Sequence, residues 1–136
     1  MKRRLRKRKG LPERVLVVED DDDTRKLLVS AISDEGFEAI PALDGQHALR
    51  TALAVEPNAI VLDLMLPGPD GAEFARAYHE QTHADPPIVV LSARHDAEAV
   101  GKSIGARAVM PKPFDVDQLM AMLRTAMHPQ ATRARL

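Results

Sequence analysis

The chain has 136 residues, of which 45% are hydrophobic, 29% charged and 3% aromatic, and it contains no cysteine. This length corresponds to one domain with a substantial core, and the absence of cysteine excludes a disulfide scaffold or a Cys-ligated metal. Residues 1–10 carry seven Lys/Arg and no acid, so the formal net charge of −1 conceals a body near −8 that is not expected to bind nucleic acid through bulk charge.

The two ends of the chain are predicted to lie outside the folded domain. Residues 1–13 form a basic head whose like charges repel one another, so we expect it to be disordered. Within it, residues 2–9 are a candidate contact for nucleic acid or an anionic membrane, and a solvated tail is the alternative. Residues 128–136 are expected to be a disordered tail or linker stub, which leaves one domain over 14–127. The sequence contains neither a secretory signal nor the roughly 20 apolar residues of a membrane span, so a cytoplasmic location is expected.

Five short apolar runs are predicted to be strands. Three of them are continuous and rich in β-branched residues, as strands buried on both faces of a parallel sheet are: Val15–Val18, Ala59–Leu62 and Ile88–Leu91. Two weaker candidates are Phe37–Ala42 and Ala108–Met110.

Helical patterns follow each of these runs. Their apolar residues fall at helical spacing on one face: Leu27, Leu28, Ala31 and Ile32; Ala48, Leu49, Ala52 and Leu53; Phe74 and Tyr78; Val100 and Ile104; Val116, Leu119, Met120 and Leu123. Asp22 or Asp23 is expected to cap the first helix. Asp115 is expected to cap the last, with Gln118 in the capping-box position.

Strand and helix alternate five times, at about 20–30 residues per unit, which is the length of a right-handed βαβ repeat. The chain is therefore predicted to be an α/β domain with a single doubly wound sheet of five parallel strands and helices on both faces. In such sheets, functional groups gather beyond the carboxyl ends of the strands.

Charged and hydroxyl side chains follow four of the predicted strands. Glu19 and Asp20 follow the first, Asp63 the third, Ser92 the fourth and Lys112 the fifth. Two carboxylates a few ångströms apart repel by about 4 kcal/mol at an effective dielectric near 20, so a cation or protons must compensate them. Since the ligands are oxygens alone, Mg²⁺ is the expected ion, with Mn²⁺ as an alternative. Asp63 beside Lys112 is suited to carry a phosphoryl group.

These motifs, taken in order, resemble a response-regulator receiver domain over roughly Arg14 to Met127. The motifs are Val15–Asp21, Val61–Gly71, Leu91–Ala93, Gly105–Ala106 and Lys112–Phe114. The resemblance implies the flavodoxin-like strand order 2-1-3-4-5, for which a chemotaxis receiver is a known example.

The resemblance also implies a role for each acidic residue. Asp63 would be the phosphoacceptor, taking a phosphoryl group from a histidine kinase or a histidine phosphotransfer protein. Glu19, Asp20, Asp63 and the backbone carbonyl of Met65 would hold Mg²⁺, with Asp20 as a direct ligand. Such a domain assists its own phosphotransfer and autodephosphorylation and is not a turnover enzyme.

The remaining implied roles concern switching. Ser92 would move towards the phosphoryl oxygen, and Lys112, whose bond to Pro113 is usually cis in this family, would pair with the phosphate. The given sequence contains no output domain, so unless it is a piece of a longer protein its output would be the binding of a downstream protein to the face of the fourth helix, fifth strand and fifth helix. The alternative is a receiver-like interaction module that is not phosphorylated.

The chain departs from the family pattern in one segment. Val109 stands where the family usually has Tyr or Phe as a reporter of the switch, and it has no ring to move. Gly105–Val109 replaces the Gly-Ala-Asp-Asp-Tyr of regulators that dimerise through the fourth and fifth helices, so that dimer is not predicted. Met65 and Arg94 occupy positions that tune phosphoryl loss in this family.

Three other classes of protein fit the sequence less well. His79–His83 matches the zinc-peptidase pattern H-E-x-x-H, but the predicted helix ends there and no third ligand follows, so a solvated helix end is expected. A phosphatase of the haloacid-dehalogenase type needs an acid where Met65 stands. A nucleotide site needs a Gly-rich loop, whereas Glu19–Asp23 would repel phosphate.

Overall fold

The computed structural model describes residues 10–130. Most of the predicted basic head (residues 1–9) and the last six residues of the predicted tail (131–136) lie outside the described residues. Within the described range, no helix is long and apolar enough to cross a bilayer.

Five strands alternate with five helices along the chain, as the periodicity predicts. They are β1 (Arg14–Val18), α1 (Asp22–Asp34), β2 (Glu38–Ala42), α2 (Gly45–Val55), β3 (Ala59–Asp63), α3 (Gly71–Thr82), β4 (Ile88–Ser92), α4 (Ala97–Ser103), β5 (Ala108–Pro111) and α5 (Val116–Met127). Each predicted strand is found, with bounds that differ by one residue at one end.

The strands form one sheet in the order β2-β1-β3-β4-β5, and every neighbouring pair is parallel. This confirms the predicted fold class and strand order. The registers align the carboxyl ends: Val18 lies opposite Leu62, Asp63 opposite Leu91, and Ser92 opposite Pro111. Residues that follow neighbouring strands are therefore brought to one edge of the sheet.

The sheet separates two hydrophobic cores. Because side chains alternate across a strand, Leu16 and Ile60 contribute to one core, whereas Val15 and Val61 contribute to the other. Helices α2, α3 and α4 cover the first face, and α1 and α5 cover the second. The central strands β3 and β4 are buried at every position, which explains their unbroken apolar sequences.

The prediction that Leu27 and Leu53 are buried in the core is wrong. Leu27 is 49% exposed and Leu53 is 38% exposed, although each belongs to a predicted apolar face. Adjacent helical residues are about 100° apart. The buried face of α1 is centred on Leu28 and Ile32, so Leu27 falls beside it, and Leu53 lies beside Ala52 in α2 in the same way.

Aspartate side chains cap four of the five helices in the described residues, with one difference from the expectation. Asp21 caps α1 by accepting from the Thr24 N–H, so the prediction of Asp22 or Asp23 is wrong, since both lie inside the first turn. Asp115 caps α5 as predicted, and its side chain accepts from the Gln118 N–H. The complete reciprocal capping box is found in α3.

Candidate functional site

The acidic end of β1 lies at the carboxyl edge of the sheet. The Glu19 N–H donates to the carbonyl of Ala42 at 3.1 Å, which continues the pairing of β1 with β2 by one residue. This holds Glu19 in line with the strand, and its side chain is 1% exposed. Asp20, the next residue, is exposed to solvent.

Asp63 is the last residue of β3 and is 5% exposed. Its Oδ1 accepts a hydrogen bond from the Met65 N–H at 3.0 Å, which fixes the carboxylate in the turn that follows the strand. The Met65 side chain itself is exposed. At the start of α3, the Gly71 N–H donates to the Leu64 carbonyl at 3.1 Å, and a Cβ on Gly71 would lie 2.4 Å from the Asp63 carbonyl oxygen. Only glycine permits this approach of α3 to Asp63.

Lys112 reaches both buried carboxylates. Its N–H donates to the Ser92 carbonyl at 3.1 Å, and its peptide bond to Pro113 is cis. Its Nζ lies 2.5 Å from Glu19 Oε1 and 3.2 Å from Asp63 Oδ2. The structure thus joins residues that are 93 and 49 positions apart in the chain through one ammonium group.

The electrostatics of this cluster follow from burial. Desolvation raises the pKa of Glu19, and the negative charge of Asp63 adds to this, while hydrogen bonds from Lys112 and the Asp21 N–H oppose it. Burial alone lowers the pKa of Lys112, but its hydrogen bond to Glu19 and the charges of Asp63 and Glu19 outweigh burial, so that pKa is raised. Lys112 therefore remains a cation at neutral pH and compensates part of the negative charge.

The carboxylates of Glu19, Asp20 and Asp63 form a candidate cation site. Each offers an oxygen, and these oxygens lie within 4.8 Å of one another. The negative charge of three carboxylates exceeds the positive charge of one lysine. Because an all-oxygen donor set suits a hard divalent ion, the residues present fit Mg²⁺. In the part of the chain from residue 10 to residue 130, this is the one group of three or more metal-binding side chains.

Ser92 lies at the same edge but contacts a different partner. It is the buried last residue of β4, and its Oγ accepts a hydrogen bond from the Arg94 N–H at 3.1 Å. The structure therefore brings Glu19, Asp63 and Lys112 into direct contact and places Ser92 beside them, bonded to its own loop.

Sequence reasoning missed Arg25, whose side chain binds the backbone of Glu19 and Asp20 after β1. One turn into α1, its Nη1 donates to the carbonyls of Glu19 at 3.0 Å and Asp20 at 3.2 Å, and its Nη2 contacts the Asp22 carboxylate. The guanidinium is mostly buried. An arginine seven positions after the strand gives no periodic signal, although its place two residues after a run of acids is a weak one.

Replacing Arg25 with glutamine is expected to lower the free energy of unfolding by about 1–2 kcal/mol, because two carbonyls lose their charged donor. Chemical denaturation at neutral pH measures this difference. Arg50→Gln, at an exposed position of α2, is the matched control and is expected to change little. Equal unfolding midpoints for the two variants would contradict the supporting role of Arg25.

The H-E-x-x-H segment is a helix end, as predicted. His83 ends α3 in the left-handed conformation with φ 57°, and the His79 Nδ1 lies 3.2 Å from the Ala84 carbonyl.

Val109, at the position of the expected aromatic residue, packs on the first core, and a Cβ on Gly101 would lie 2.6 Å from its Cγ2.

Comparison with known proteins agrees with this geometry. A family model described as the response regulator receiver domain matches residues 15–124. Response regulator MprA of Mycolicibacterium vanbaalenii is 39% identical over 116 residues, which cover 84% of this chain and 50% of that protein. Transcriptional regulatory protein PrrA of Mycobacterium tuberculosis is 37% identical over 123 residues, which cover 89% of this chain and 52% of PrrA. The chain spans about half the length of these curated relatives.

Solved structures show the same arrangement of strands and helices. Chemotaxis protein CheY4 of Vibrio cholerae superposes with a TM-score of 0.78 at 29% identity, covering 85% of this chain and 98% of that one. The receiver domain of the Francisella response regulator 1452 gives a TM-score of 0.79 at 25% identity, covering 86% and 98%. NtrX of Brucella abortus gives 0.79 at 28% identity, covering 92% of this chain and 29% of NtrX.

Proposed function

This chain belongs to the response regulator receiver domain family, the signalling modules of two-component systems, and on that premise we propose that Asp63 accepts a phosphoryl group. The donor is a phosphohistidine on a histidine kinase or a histidine phosphotransfer protein. The observation that carries this proposal is the contact of Lys112 Nζ with both Glu19 and Asp63, which leaves the phosphoacceptor beside a fixed positive charge.

The transfer is a single displacement reaction at phosphorus. A carboxylate oxygen of Asp63 attacks, and the P–O bond forms as the P–N bond to the donor imidazole breaks. The imidazole keeps the electron pair and takes up a proton. Lys112 offsets the charge that gathers on the phosphoryl oxygens, because a charge-assisted hydrogen bond strengthens as that charge develops. Attack by water later regenerates the Asp63 carboxylate and releases inorganic phosphate.

Glu19, Asp20, Asp63 and the backbone carbonyl of Met65 are the residues that would hold Mg²⁺, or Mn²⁺ in its place. The carboxylate cluster supports this assignment for the three acids. The ion would neutralise charge on the phosphoryl group and orient it. Asp20 is the solvent-facing member, so it is the acid through which an ion enters from water.

Phosphorylation is proposed to change a binding surface. Ser92 Oγ, which accepts from the Arg94 N–H, moves away from it and donates its O–H to the phosphoryl oxygen, and this movement shifts a two-state equilibrium. The surface affected is formed by α4, β5 and α5, and its partner is a downstream protein. We place this exchange in the cytoplasm, where response regulators act.

Intact-mass measurement after incubation with acetyl phosphate and Mg²⁺ tests the proposal. We expect a single phosphoryl adduct on the wild type, none on Asp63→Asn, and a normal adduct on Asp85→Asn, which changes an exposed acid after α3. An adduct that persists in Asp63→Asn would refute the assignment of the phosphoacceptor. A wild type that stays unmodified would favour the alternative, a receiver-like interaction module without phosphorylation.

A further inference from the structure

The start of α4 differs from the start of every other helix in the described part of the chain. The other four helices begin with an aspartate in extended conformation whose carboxylate accepts from an N–H three residues later: Asp21, Asp44, Asp70 and Asp115. Helix α4 also begins with an aspartate, Asp96. Its φ and ψ are −97° and 13°, and its side chain makes no capping hydrogen bond.

The carboxylate of Asp96 is instead bound by Arg94. The arginine Nε lies 2.8 Å from Asp96 Oδ1 and its Nη2 lies 2.7 Å from Oδ2, so the guanidinium takes both carboxylate oxygens. This two-point geometry is the strong arrangement for an arginine and an acid. While it persists, the preferred capping acceptor of α4 is occupied elsewhere.

Arg94 connects this contact with the proposed phosphorylation site. Its own N–H holds the Ser92 hydroxyl, and its carbonyl accepts from the first N–H of α4, that of Ala97, at 3.3 Å. The pKa of Arg94 is raised, first by its hydrogen bond to Asp96 and further by the charge of Asp70, which caps α3 after the Asp63 loop. Asp63 lies opposite Leu91 in the sheet, and Arg94 follows Leu91 by three residues, so the loop that carries Arg94 leaves the same edge of the sheet as Asp63.

We propose that Asp96 and a phosphoryl group on Asp63 compete for Arg94, and that release of Arg94 lets Asp96 cap α4. This inference rests on the proposed function of Asp63. Arg94 binds the phosphoryl group directly in the phosphorylated state: it leaves a monoanionic carboxylate for a group with more charge and more acceptor oxygens. Asp96 then moves to the extended conformation of the other four caps, and its oxygen accepts from the N–H of Ala99. Phosphorylation is thereby converted into order at the first turn of α4.

The strength of the competition follows from exposure. The side chains of Arg94 and Asp96 are 34% and 39% exposed, so their contact is that of a partly solvated ion pair. Such pairs shift an equilibrium by about two- to fivefold. The Arg94–Asp96 ion pair is therefore weak enough for a phosphoryl group to displace Asp96, and its effect on binding is large enough to measure.

A double-mutant cycle tests the competition, with beryllofluoride as a stable analogue of the phosphoryl group, titrated in the presence of Mg²⁺. Asp96→Asn keeps a good capping side chain but removes the charge that holds Arg94, so we expect beryllofluoride to bind about two- to fivefold more tightly. Arg94→Gln is expected to weaken the binding of beryllofluoride. When Asp96→Asn is added to Arg94→Gln, the affinity is expected to stay the same. Asp115→Asn, the same substitution at the cap of α5, is the matched control and is expected to bind as the wild type does.

Hydrogen exchange of the Ala99 amide supplies a readout that needs no ligand. Without beryllofluoride, Arg94→Gln frees Asp96 to cap α4, so the Ala99 amide is expected to exchange several-fold more slowly than in the wild type. An unchanged Ala99 rate, or an Asp96→Asn effect that is the same with and without Arg94, would overturn the proposal. If the wild type fails to bind beryllofluoride, the phosphoacceptor function fails, and the Ala99 amide still decides whether Arg94 withholds the cap.

Discussion

Replacing Lys112 with methionine is expected to lower the free energy of unfolding by roughly 2–4 kcal/mol at pH 8. Removing one partner of a buried ion pair leaves its charge uncompensated, which costs about 3–5 kcal/mol at full burial, and Lys112 is 23% exposed, so we expect a smaller loss. Methionine fills a similar volume, so the loss reports charge more than packing. The carboxylates of Glu19 and Asp63 are left facing each other.

The pH dependence of this variant has a defined sign. In the wild type the raised pKa of Lys112 means that its contribution is fully present below the ordinary value of 10.5 and is lost only as the pH climbs through the raised value. In the variant, the hydrogen bond that lowers the pKa of Glu19 is gone, so that pKa rises further above its ordinary 4.5. The folded state then favours the protonated acid, and stability falls as the pH rises through the raised pKa.

Thermal unfolding of the Lys112→Met variant at pH 5 and pH 8 measures this effect. We expect its deficit against the wild type to be smaller at pH 5, and Mg²⁺ at pH 8 to raise its melting temperature more than that of the wild type. Lys26→Met, at an exposed lysine of α1, is the control. A deficit that does not change with pH would show that packing, not charge, accounts for the loss.

Replacing Gly71 with alanine is expected to destabilise the fold by roughly 1–3 kcal/mol although alanine is the better helix former. The added Cβ would lie 2.4 Å from the Asp63 carbonyl oxygen and 2.9 Å from the Leu64 Cα, and both are backbone atoms that no side-chain rotation can move. The gain in helix propensity is at most about 1 kcal/mol, so the steric effect dominates. The backbone of Asp63 must shift, and phosphoryl adduct formation should slow as well.

Chemical denaturation and the rate of adduct formation from acetyl phosphate together test this prediction. Gln46→Ala, at an exposed first-turn position of α2, introduces alanine without a backbone contact and is expected to change neither quantity appreciably. A Gly71→Ala variant that is more stable than the wild type would show that α3 can move away from Asp63 freely.

The parallel sheet could be predicted from the residues because the central strands carry a pattern typical of burial on both faces, whereas the strand order came from the family resemblance alone. Val15–Val18 and Ile88–Leu91 are apolar throughout since both faces of the sheet are covered, which is typical of a parallel sheet between helices. Once the strands are parallel, their final residues must meet at one edge. The proximity of Asp63 to Lys112 was therefore predictable without any knowledge of the loops between them.

Loop contacts were not predictable in the same way. Arg25 and the contact of Arg94 with Asp96 depend on which rotamer a long side chain adopts, and sequence spacing carries no information about that choice. The cap of α1 is Asp21 and not the predicted Asp22 or Asp23 for a similar reason. Any acid in the run can accept from the first N–H groups, and the backbone conformation at Asp21 decides between them.

The hydrogen bond from the Lys112 N–H to the Ser92 carbonyl has a mechanical consequence. It fastens the residue with the hydroxyl to the residue with the ammonium, so any displacement that preserves this bond carries both groups together. A displacement of the carboxyl end of β4 toward β3 is therefore expected to move β5 and the segment before α5 in the same direction. If both groups contact the phosphoryl group as proposed, we expect the Ser92 hydroxyl and the Lys112 ammonium to move together, and a protein bound to β5 and α5 to respond to their joint displacement.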